Sequence, residues 1–126
     1  MKVRLVASIV LIVVALGFAF YCLWRVESTA QTLAEALETA MVAAHTQAPN
    51  WQEATDEVVR LWESQRAFLH ILMPHQNINE LEWAIGALPF YLELGDVDLF
   101  VEHSVRGLQC LNTIREMERP TLGNIF

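Results

Sequence analysis

The sequence predicts an all-α protein, a transmembrane helix followed by a four-helix antiparallel bundle or by stacked helical hairpins. Three observations carry that expectation. Residues 5–24 form an uninterrupted run of uncharged, almost wholly apolar side chains, LVASIVLIVVALGFAFYCLW. After it, apolar residues recur three and four positions apart in four successive segments punctuated by proline or glycine, the spacing of one helix face. No stretch shows sustained period-two alternation or a hairpin dipeptide, so no strand is expected.

At about 1.5 Å rise per residue the apolar run spans roughly 30 Å, the thickness of a bilayer's hydrocarbon core. Its many β-branched residues weaken a helix in water, but in lipid a lone segment satisfies its backbone only as a helix. Ser8 can bond back to the preceding turn, and Tyr21 and Trp24 stand at the far end, where amphipathic rings favour the headgroup layer. Lys2 and Arg4 precede the run, so residues 1–4 are expected in the cytoplasm and residues 25–126 outside it, despite Arg25. A cleavable signal, cut after Ala19, is the rival reading, but the run is long for a signal core.

The first segment of the remainder opens with Ser28-Thr29-Ala30-Gln31, a capping-box pattern, and carries Ala30, Leu33, Ala34, Leu37, Ala40, Met41 and Ala44 up to Pro49. This helix either continues from the apolar run or bends at residues 25–28. A second box, Asn50 to Glu53, starts a stripe of Trp51, Ala54, Val58, Leu61, Trp62, Phe68, Leu69 and Leu72, which Pro74 stops. A third, Asn77 to Glu80, starts Ile78, Leu81, Ala84, Ile85, Leu88 and Leu92, with Pro89 inside to kink or shorten the helix. Gly95-Asp96 reads as a stop and a new cap, and the last stripe is Val97, Phe100, Val101, Val105, Leu108, Leu111, Ile114 and Met117 before Pro120.

Charge excludes whole classes of function. Beyond residue 25 lie all fifteen acidic residues but only five arginines (60, 66, 106, 115 and 119) and no lysine. Such a surface repels nucleic acid, and none is expected as a partner. Cys22, in the apolar run, and Cys110, late in the chain, make no disulfide framework; Cys110 reads as a small buried residue.

Candidate chemistry is thin. His45, His70, His75 and His103 lack metal-ligand spacing, and Glu93, Asp96, Asp98 and Glu102 lack the calcium-loop pattern and read as acids near a helix start. Ser28, Ser64 and Ser104 sit in no nucleophile elbow, and no glycine-rich phosphate loop is present. Neither an enzyme nor a cofactor is therefore expected.

Asn50-Trp51-Gln52-Glu53-Ala54, Trp62, His75 with Ile78 and Leu81, and the closing E-R-P-T-L-G-N-I-F at 118–126 together resemble the bacterial family of domain of unknown function 4363. The resemblance implies a small protein of spore-forming Firmicutes, with one N-terminal membrane helix and a helical remainder. It also implies a cell-envelope setting, and gene neighbourhoods in that family point to a multi-span membrane protein as partner. It supplies no catalytic residue.

The resulting expectation is a membrane-anchored accessory or interaction protein, with lipid around the anchor and a multi-span membrane protein against the domain. An extracytoplasmic ligand-binding or sensing module is the alternative. Trp83 and Phe90 fall off the apolar stripe of their helix and are candidates for the partner surface, together with Thr121, Leu122, Asn124, Ile125 and Phe126 of the tail.

Overall fold

The computed structural model describes residues 1–118, so the tail candidates Thr121, Leu122, Asn124, Ile125 and Phe126 lie outside the described residues. The described chain is helical throughout, with α1 at Lys2–His45, α2 at Trp51–Leu72, α3 at His75–Gly86, α4 at Leu88–Leu94 and α5 at Val97–Glu118. No strand occurs among the described residues.

The apolar run and the first amphipathic segment are one continuous helix of 44 residues. No proline or second glycine lies between Gly17 and Pro49 to break it. The capping box at Ser28 is therefore not used: Ser28 is mid-helix, and its carbonyl accepts a hydrogen bond from the Thr32 hydroxyl at 2.9 Å. The second box marks the start of its helix correctly, whereas the third does not. Asn50 precedes α2 without a side-chain cap, and Asn77 lies inside α3, whose first residue is His75 after Pro74. The Gly95-Asp96 expectation holds. Gly95 takes a left-handed φ of 68°, and Asp96 Oδ1 accepts the Leu99 N–H at 3.1 Å at the start of α5. Pro89 also acts as its ring requires, in the first turn of α4 after a break at Ala87.

From Val26 onward α1 presents a narrow buried stripe: Val26, Ala30, Leu33, Leu37, Ala40, Ala43 and Ala44. Four alanines bury little area each, but they let neighbouring helices come close. α1 packs on α2 and, most extensively, on α5; α3 and α4 fill the remaining side against α5 and α2. The α1–α5 seam is tight at Gly107, where a Cβ would lie 3.2 Å from Leu37 Cδ1. Phe100 anchors the centre, fully buried and edge-on to Trp51 at 5.3 Å between ring centroids.

Among the described residues, two members of the apolar stripes are exposed. Val105 stays exposed because α5 buries Ser104 and Gly107 instead, the latter against Leu37 of α1. Leu72 is exposed at the end of α2, past the level at which the buried stripe of α1 begins. Two ion pairs tie helices together: Arg115 to Glu27 at 2.8 Å joins α5 to α1, and Arg66 to Glu82 at 2.6 Å joins α2 to α3.

Candidate functional site

The stripe of α3 turns Ile78, Leu81, Ala84 and Ile85 inward, which leaves Trp83 facing outward, 58 % exposed. The break at Ala87 resets the helical phase, so that α4 buries Leu88, half-buries Tyr91 and exposes Phe90 to 59 %. The left-handed turn at Gly95 then returns the chain as α5, which slides His103 beneath both rings.

His103 joins the two candidates. Its ring is 4.7 Å from that of Trp83 and 4.9 Å from that of Tyr91, and Phe90 stacks edge-on to Tyr91 at 5.6 Å. Trp83 and Phe90 thus stand on one row of rings, linked through His103 and Tyr91. His103 is only 5 % exposed, and its buried Nδ1 has no hydrogen-bond partner. One turn along α5, the Arg106 guanidinium lies over the Trp83 ring at 5.6 Å and pairs with Glu102 at 3.2 Å.

Beside this row an open groove of about 370 Å³ runs between α3 and α5, lined by Asn77, Glu80, Trp83, Arg106, Gln109, Cys110 and Thr113. Cys110 is only half-buried here, not the enclosed core residue the sequence implies, and its Sγ lies 3.8 Å from Glu80 Oε2. Burial, and then the neighbouring Glu80 carboxylate, push the thiol above its ordinary pKa. A thiol held protonated is the opposite of an activated nucleophile. A second open groove, about 450 Å³, lies between α1 and the start of α2, with Glu35, Glu38 and Thr39 among its walls.

The other histidines stand apart from this row. His45 is exposed at the end of α1, and the rings of His70 and His75 lie 6.2 Å apart across the α2–α3 turn. Among the described residues no three His, Cys, Asp or Glu side chains gather as a metal-ligand set. The sequence reading missed His103 and Arg106 as supports for Trp83. Their signal was the three-residue spacing that puts both on one face of α5.

The fold also leaves the first part of α1 bare. Of residues 5–24 only Cys22 is partly covered, and the helix is long and apolar enough to cross a membrane. No curated protein and no solved structure matches the chain. A family profile does, from the last turn of the apolar run through the whole helical domain and into the tail. By that match over residues 20–125, the chain belongs to the family described as Domain of unknown function (DUF4363).

Proposed function

We propose that this protein is a membrane-anchored accessory protein whose helical domain, outside the cytoplasmic membrane, contacts a multi-span membrane protein. Residues 5–24 are the anchor and residues 1–4 the cytoplasmic stub, as the basic residues ahead of the run favour. The domain, read as an up-and-down bundle, carries out no catalytic step and holds no cofactor. One observation carries the partner reading. Trp83 and Phe90 are large, exposed and held on a stacked row of rings, so ordering them on binding costs little entropy.

The test is site-specific photocrosslinking in cells that make the full chain, with a photoreactive residue at position 83, 90 or, as control, 57. Crosslinking of the same multi-span membrane protein from 83 and 90 but not from 57 supports the reading. No product from 83 and 90, or the same products from all three sites, overturns it. Truncation after Pro120 in the same experiment assigns or removes a part for the tail. The groove between α3 and α5, with Trp83 and Arg106 in its wall, favours a ligand-binding module as the second reading. In that case, a small-molecule screen on the full chain in detergent yields a binder that Trp83→Ala abolishes.

A further inference from the structure

The helical domain carries apolar side chains at its other end that no part of the fold explains. Ile71 is 81 % exposed, Leu72 is exposed beside it, and both close α2 just ahead of Met73-Pro74-His75. The height of this corner follows from two independent counts. Arg25 lies over the Phe68 ring, 4.0 Å from its centroid, so these residues are level on α1 and α2. Three and four residues further along α2 carry Ile71 and Leu72 about 5–6 Å past that point, alongside Cys22 and Tyr21. Counted from the opposite end, α2 has 22 residues, and the 22-residue stretch of α1 that ends at His45 begins at Trp24. Both counts set the corner between Tyr21 and Trp24, and Cys22 is the one residue of the apolar run that is partly covered.

We infer that the α2–α3 corner is a second, shallow membrane contact, in which Ile71 and Leu72 enter the lipid interface beside α1. This rests on the anchoring part of the proposal above and is independent of any protein partner. The occupant is the bilayer around residues 5–24, because the corner continues the surface of that segment at the height of its interfacial rings. Composition agrees. Residues 64–79 are the longest acid-free run after the apolar stretch, in a domain that is otherwise strongly acidic. Arg25 on α1 and His75 at the start of α3 flank the corner, the arginine suited to headgroup phosphates. Backbone chemistry sets the depth. The turn at Met73-Pro74 interrupts the helical hydrogen-bond ladder, and open backbone groups are tolerated at the headgroup boundary but not in the hydrocarbon centre. Two seats on the membrane, a spanning helix and this corner, would fix the tilt of the domain and hence the direction in which Trp83 and Phe90 point.

The experiment uses the purified full chain, Cys22→Ser and Cys110→Ser, in phosphatidylcholine–phosphatidylglycerol vesicles, with a nitroxide on one introduced cysteine. Positions are Ile71→Cys, Leu11→Cys in the anchor and Glu57→Cys on the exposed face of α2; circular dichroism checks that each variant is helical. Collision rates with oxygen, which concentrates in lipid, are compared with those of a water-soluble nickel chelate. The ratio at 71 is expected several-fold above that at 57 and below that at 11. A ratio at 71 equal to that at 57, with 11 in lipid, overturns the corner contact and leaves the anchor standing. If 11 is also in water, the anchor fails and the corner contact falls with it.

Discussion

The two halves of α1 are one helix by backbone and two different objects by side chain. Residues 5–24 are apolar on every face and almost wholly exposed; from Val26 to Ala44 only a stripe is apolar, and that stripe is buried. The more hydrophobic half is thus the one the protein leaves uncovered. Burial of a helix apolar on every side needs neighbours all round it, and the helices that follow pack on one stripe of α1 only. The change occurs within one turn, at Trp24 and Arg25, where the helix passes from bare to packed.

The largest expected effect breaks the symmetry between two leucines. Leu37 is fully buried, whereas Leu11 is 69 % exposed. Leu37→Ala is expected to destabilise the domain by about 2–5 kcal/mol, through lost burial and the cavity left behind. Urea unfolding in detergent, followed by tryptophan fluorescence, measures it. Leu11→Ala removes the same atoms and should leave that transition in place. Equal losses at the two sites would mean that the halves of α1 unfold as one unit.

A steric test sharpens the same contrast on the packed side. Gly107→Val is expected to cost about 1–3 kcal/mol by overpacking, because Leu37 Cδ1 waits 3.2 Å from the new Cβ and the Ala84 Cβ 3.9 Å away. Combined with Leu37→Ala, the two losses should fall short of their sum, since valine fills part of the space leucine vacates. Additive losses would show that the α1–α5 seam is looser than its geometry. At the end of the same helix, Gln47 holds a left-handed φ of 49° while the Ala48 and Gln47 N–H groups close the last turn on Ala43 and Ala44. Gln47→Gly removes that strain and is expected to raise stability by roughly 1 kcal/mol, read as a higher urea midpoint.

Much of this architecture was legible in the sequence, and the misses share a cause. Gly95 announced its turn because a left-handed residue favours glycine, and Pro74 and Pro89 forced breaks that no packing could heal. Gln47 makes the same kind of turn with no such mark in the sequence. Two of the three capping boxes misled because a cap matters only where a helix must start: nothing stops α1 before Ser28, and Pro74 starts α3 ahead of Asn77. Trp83 and Phe90 were visible as residues off the stripe. The ring row beneath them was not, because His103 meets Trp83 and Tyr91 only after the turn at Gly95 folds α5 back. Leu72 lies on the apolar stripe yet stays exposed, because periodicity reports a face but not where along the helix its neighbour ends.

The smallest effect separates the two regions by their native thiols, Cys22 in the apolar half and Cys110 in the domain. Burial and Glu80 raise the Cys110 pKa, so the folded state favours the protonated thiol. The sign follows: this contribution to stability is complete below the unfolded thiol pKa, about 8.5, and is lost as pH rises through the higher folded value. Maleimide reacts with the thiolate, so in detergent at pH 8 Cys110 should label slowly in the folded protein. Urea at the unfolding midpoint should then speed its labelling severalfold. Cys22 should not follow the same transition, because a micelle covers it and the unfolding of the domain need not expose it. If both thiols accelerate together at one urea concentration, the junction at Trp24 and Arg25 transmits unfolding into the apolar half. Acceleration of Cys110 alone would make that junction the lower boundary of the cooperative domain.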